Sequence, residues 1–117
     1  MYRIWDEIKN LTEKQKVFYT LGKKERFQVI RVNEGSLELE IGKQGTHINE
    51  LRKDFESVWQ MMVKQGYFEP MQIRDERDRF PFNRPAYIPA ILAALPYVQV
   101  FRHGKRLALR LTQSTNE

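Results

Sequence analysis

The densest chemistry in the chain sits around Gly104, where Arg102, His103, Lys105 and Arg106 occupy four of five consecutive positions. Guanidinium and ammonium groups gathered this way suit a phosphate backbone, because each cationic contact releases condensed counterions. His103 adds a donor when protonated, or a ring that reads a groove edge. The same residue types also blunt an exposed β edge and keep it soluble, so the cluster taken alone has two readings. A second basic turn lies at Lys23 and Lys24, with Arg26 and the acidic Glu25 beside them. It reads either as a phosphate-contacting loop or as an ordinary solvated turn. A third candidate is the pair Asn83 and Arg84. Their side chains are of the types that pair with adenine and guanine edges respectively.

Other constellations carry less. Asp75, Glu76 and Asp78 would suit a hard cation, but Arg74, Arg77 and Arg79 interleave with them. Such alternation reads as local ion pairing on a solvated face, so no metal is expected. The two histidines, His47 and His103, fall in unrelated segments, and no nucleophile-elbow, zinc-protease or Walker pattern is present. Glu7 and Lys9 match a three-residue nuclease-like fragment of a kind that charged helices carry by chance. The expectation is a protein that is not an enzyme and takes no cofactor. Phe18, Tyr19, Phe27, Tyr67, Phe68, Phe80, Phe82 and Tyr87 are aromatic enough for base stacking. Most sit at periodic core positions, and Phe80 and Phe82 read as pegs anchoring a loop.

These residues need elements to position them. Ile4, Ile8 and Leu11 recur at helical spacing, which predicts a short helix over Tyr2 to Leu11, with Thr12 capping a further turn. Val17 to Gly42 predicts an antiparallel meander. In it Phe27, Val29 and Arg31 share one face of a strand, and Ile30 and Val32 the other. Leu37, Leu39 and Ile41 point inward, and Glu38 and Glu40 outward. Asn33 to Gly35 offers residues suited to positive φ, and Thr46 to Ile48 a further short strand. Asn49 is the expected N-cap of a helix over Glu50 to Gln65, with Leu51, Phe55, Val58, Trp59 and Met62 as its apolar stripe and Gly66 as its stop.

Glu69 and Pro70 then start a second helix that ends near Asp78. A third runs from Pro85, or alternatively from Pro89, to Leu95, and Pro96 closes it. Residues 97–111 form a hairpin that turns at Gly104, and residues 113–117 are a polar tail. The order from residue 46 onward, short strand, three helices and hairpin, is that of a winged helix-turn-helix. The expected fold is therefore α+β in a single domain over 1–117. An N-terminal helix and β-meander (1–48) precede a winged-helix-like half (49–112).

Charge distribution favours the phosphate reading of the tip. The net charge is +5, and no acidic residue occurs from Phe80 to Asn116, whereas Arg84, Arg102, Lys105, Arg106 and Arg110 do. The third helix departs from a DNA-reading pattern. Between Ala86 and Leu95 it carries no charged side chain, so its body reads as core packing or as a docking surface for another protein. The absence of cysteine fits a reducing cytosol. No apolar stretch is long enough to span a bilayer, so no membrane partner is expected.

The segments "FYTLGKKERFQVIRV", "INELRKDFESVWQMM" and "RPAYIPAILAAL" resemble the small accessory modules attached to modification-dependent and related restriction enzymes. That resemblance spans roughly residues 18–95 and rests mostly on apolar positions. It implies a role in DNA recognition or defence assemblies, and it supplies no catalytic residue. Where the family pattern has serine before the tyrosine, this chain has Ala86.

Together these readings give a non-catalytic nucleic-acid-binding protein, with duplex DNA favoured over RNA. Lys23, Lys24, Arg102, Lys105 and Arg106 would hold phosphate, assisted by His103, and Asn83 and Arg84 would contact bases. The alternative is a subunit or inhibitor that docks on a larger nucleoprotein complex through the apolar segment 86–95.

Overall fold

The computed structural model describes residues 3–76, 78 and 86–112. The architecture is α+β. An N-terminal helix leads into a four-stranded antiparallel sheet, followed by three further helices and a C-terminal hairpin. The elements are α1 (Ile4–Lys14), β1 (Val17–Tyr19), β2 (Arg26–Val32), β3 (Ser36–Ile41), β4 (Thr46–Leu51), α2 (Arg52–Gln65), α3 (Met71–Asp75), α4 (Tyr87–Ala93), β5 (Val98–His103) and β6 (Arg106–Leu111).

α1 buries Ile4, Trp5, Ile8 and Thr12, which lie along one helical face. The helix runs one turn further than the apolar spacing predicts. Thr12 does not cap a new turn, because its hydroxyl donates to the carbonyl of Ile8 at 2.9 Å inside the same helix.

The sheet order is β1-β2-β3-β4. Leu37 and Leu39 are fully buried, while Glu38 and Glu40 face out beside His47, as period-two alternation requires. β2 departs from strict alternation. Val29 pairs with Leu39 and Arg31 with Glu38, so Ile30 is an extra residue in a β-bulge. The bulge shifts the phase, and Arg31 turns outward to Glu38 instead of sharing the face of Phe27 and Val29. Val32, expected on the opposite face, packs against the core.

β4 extends through Leu51, which corrects the expected cap at Asn49. Asn49, Glu50 and Leu51 pair with Glu38, Leu37 and Ser36, so the strand ladder claims them before the helix begins. α2 starts at Arg52, whose backbone N–H donates to the carbonyl of Gly35 at 2.8 Å. Leu51 therefore leaves the apolar stripe and is exposed. The rest of the stripe, Phe55, Val58, Trp59 and Met62, is buried. The helix stops at Gly66, where φ is +91° and the N–H closes on the carbonyl of Met62. Glycine takes that backbone region without steric penalty.

The helices cover the inner face of the sheet. Trp5 meets Phe55 edge-on at 5.6 Å between centroids, and Phe27 meets Tyr87 edge-on at 5.1 Å. α3 ends at Asp75, earlier than expected. In α4, Pro89 falls in the first turn, where its missing N–H has no intrahelical partner to lose. Ile88, Pro89, Ala90, Ile91 and Leu92 are all buried. Most of this segment is core, while Ala86, Tyr87, Ala93 and Ala94 are half-buried.

β5 and β6 form their own two-stranded sheet, while β4 pairs with β3. On the outer edge of β6, Phe68 exchanges two backbone hydrogen bonds with Leu109, both 2.8 Å. That bridge ties the hairpin to the chain just before α3. Val100 is exposed.

Candidate functional site

The hairpin tip is built by local backbone geometry. His103 and Arg106 form the last cross-strand pair, leaving Gly104 and Lys105 as the loop. Gly104 has φ +68°, the positive value that a two-residue loop with glycine first requires. Arg102 folds across this loop, and its Nη1 donates to the carbonyl of Lys105 at 3.0 Å.

The tip does not stand free. Glu69, at the entrance to α3, accepts from both His103 and Arg106. Nδ1 of His103 lies 2.6 Å from Glu69 Oε2, and Nη1 of Arg106 lies 3.4 Å from Oε1. Asp75, at the far end of α3, takes a second bond from Arg106 at 2.8 Å. These carboxylates, Asp75 foremost, raise the Arg106 pKa above its ordinary value and hold the guanidinium charged. The ring of His103 also rests against Tyr67, with centroids 4.6 Å apart. Glu69 is itself held in place. Its backbone N–H donates to the side-chain oxygen of Gln72, one half of a capping-box arrangement.

His103 and Arg106 are thus engaged within the chain. The expectation that they would contact phosphate meets a competing acid for each. Arg102 and Lys105 behave differently, since neither takes a carboxylate among the described residues. Both, together with Arg106, line a groove of about 550 Å³, whose opposite wall is the β1–β2 turn with Lys23. Leu21, Met71 and Leu107 contribute apolar lining, and each is half-buried. Glu25 is the acidic residue on this lining. Two turns remote in sequence therefore meet across one concave surface.

Lys24 adjoins this wall but is not part of the groove lining. It holds φ +59°, so the positive-φ residue of that turn is a lysine and not Gly22. The turn is closed by bonds from Thr20 N to Glu25 O and from Lys24 N to Thr20 O, 2.9 and 3.1 Å. At the next loop, Asn33 N donates to Ser36 O at 2.9 Å, and neither Asn33 nor Gly35 takes the positive φ expected of it.

Asn83 and Arg84, the expected base-contacting pair, and Phe80 and Phe82 lie outside the described residues. Arg110 is bonded to Gln99 and stacked 4.3 Å over Phe101. Asp75 finds a partner on the hairpin, Arg106. Among the described residues, no cluster of three or more side chains is arranged to hold a metal ion. Nor is any helix among them long and apolar enough to cross a membrane.

Two parts of this site were not anticipated from sequence. One is the neutralising role of Glu69 and Asp75. The other is the apolar lining of Leu21, Met71 and Leu107. Both arise from contacts across more than thirty positions and leave no local periodicity. No family model matches the chain, and no curated protein or solved structure matches it either.

Proposed function

We propose that this protein binds nucleic acid without catalysis, through the groove between the β1–β2 turn and the β5–β6 tip. The observation that carries the reading is the convergence of Lys23, Arg102 and Lys105 on one lining, with no carboxylate partner among the described residues. Three cations without a carboxylate partner among the described residues attract a polyanion, and releasing its counterions drives the association. DNA is the favoured polymer. The order α2, α3, α4 and hairpin supports a winged-helix-like reading of the C-terminal half, with residues 102–106 as the wing tip. In that reading the third helix serves the core, because its body is buried. Phosphate contact thus supplies most of the affinity, and Asn83 and Arg84 remain the proposed source of any sequence preference.

The test is fluorescence anisotropy with labelled DNA and RNA across a salt series. Three phosphate contacts give an affinity loss of about 20- to 40-fold between about 50 and about 200 mM salt. Affinity that stays flat across that range, or no binding at low salt, removes the proposal.

A further inference from the structure

We infer that the groove receives an unpaired nucleotide, its phosphate on the cationic rim and its base on the aliphatic lining. The inference rests on the nucleic-acid reading above and narrows it to single strands or strand openings.

Three observations lead there. First, part of the lining is accessible and apolar: Leu21, Met71 and Leu107 are half-buried and line the same concavity as the cations. A phosphodiester alone has no use for such a lining. Second, a base inside a duplex hides its faces in the stack, and only an unpaired base offers a flat apolar surface beside its own phosphate. The volume of about 550 Å³ falls within the range of clefts that enclose one small ligand. Third, the element that normally reads a duplex is missing from the surface. Ile88 to Leu92 of α4 are in the core, so the body of that helix is not free to enter a major groove.

The acid on the lining fits the same picture. An ionised Glu25 can only accept hydrogen bonds. Beside a phosphate it would repel, but toward the edge of a base it can accept from an exocyclic amine or ring N–H. The rim is thus divided. Arg102, Lys105 and Lys23 face the backbone, and Glu25 faces the base. Arg102 adds a planar guanidinium on which a base can stack.

The experiment compares four labelled probes with the intact chain at one low salt concentration. They are a mixed-sequence single-stranded DNA oligomer, its blunt duplex, an oligomer of equal length and charge made largely of abasic nucleotides, and phosphatidylcholine vesicles doped with phosphatidylserine. The single strand is expected to bind at least about tenfold tighter than the duplex, and the abasic oligomer at least about fivefold weaker than the single strand. Met71→Ser should weaken single-strand binding several-fold while leaving its salt slope unchanged. The abasic comparison uses the unaltered protein, so it stands even where that variant folds poorly. Equal affinity for single strand and duplex, or an abasic oligomer that binds like the normal one, overturns the inference and leaves the nucleic-acid reading intact. Binding to vesicles with no binding to any oligonucleotide overturns both.

Discussion

Nδ1 of His103 stands 2.6 Å from Oε2 of Glu69, linking the tip of the C-terminal hairpin to the start of α3. The same carboxylate also meets Arg106. Glu69 therefore pins the tip mechanically and cancels positive charge next to the groove. The two effects separate on Glu69→Gln. The amide keeps the size and some hydrogen bonding but removes the negative charge. The partners are half-exposed, so the stability loss should be small, about 1 kcal/mol or less. Affinity for single-stranded DNA should rise two- to fivefold at low salt, with a steeper salt dependence, because a repelling charge near the phosphates is gone. Anisotropy titrations at two salt concentrations check this. Weaker binding would mean that the pinned geometry matters more than the charge.

The basic residues of the tip divide into those already satisfied and those left for a partner. Lys105→Ala and Lys23→Ala should each weaken every oligonucleotide alike and reduce the magnitude of the log–log salt slope by about 1. Arg106→Ala removes a guanidinium already bonded to Asp75 and Glu69, so its slope should change by well under that amount. The slopes are read from the same salt series. An Arg106→Ala slope change as large as that of Lys105→Ala would mean that the two carboxylates release Arg106 on binding.

The fold was legible where one face of an element decides its neighbours. Leu37 and Leu39 alternate with Glu38 and Glu40, and a single sheet with one wet face satisfies that pattern. Gly66 and Gly104 marked their turns, since few other residues accept those φ values. The errors fell where long-range pairing overrode local preference. Asn49 is a good cap in isolation, but its backbone is opposite Glu38 in the ladder. The bulge at Ile30 follows from the register between β2 and β3, which no local pattern encodes. The site was half legible for the same reason. The cationic turns could be named individually, but their meeting across one groove, and the loss of Arg106 to Asp75, depend on how α3 packs beside the hairpin.

Lys24 holds φ +59° in the turn between β1 and β2. A side chain with a Cβ is disfavoured there by roughly 1–2 kcal/mol, whereas glycine enters freely at some entropic cost in the unfolded chain. Lys24→Gly should therefore raise the unfolding free energy by about 0.5–1 kcal/mol. Lys24 is not part of the groove lining, so single-strand affinity should stay within about twofold. Urea denaturation and anisotropy on the same sample measure both quantities. A loss of stability would show that the bonds from Thr20 hold this turn together by means other than backbone strain. A large loss of affinity would return Lys24 to the set of phosphate contacts.

Ile91 is fully buried in α4, within a segment whose apolar run first admits two explanations, core or docking surface. Burial makes a quantitative distinction between them. Truncating a packed isoleucine to alanine removes its transfer free energy and leaves a cavity, which together cost about 2–5 kcal/mol. Against a total stability of roughly 5–15 kcal/mol for a domain, that is a large fraction. Ile91→Ala should lower the urea midpoint steeply with an unchanged m-value, because the native and unfolded states still differ by nearly the same surface. Where the variant remains folded, its affinity for single-stranded DNA should match that of the parent, since Ile91 does not line the groove. A change in stability below about 0.5 kcal/mol would place Ile91 on a surface, and the docking reading of the segment would then displace the core one.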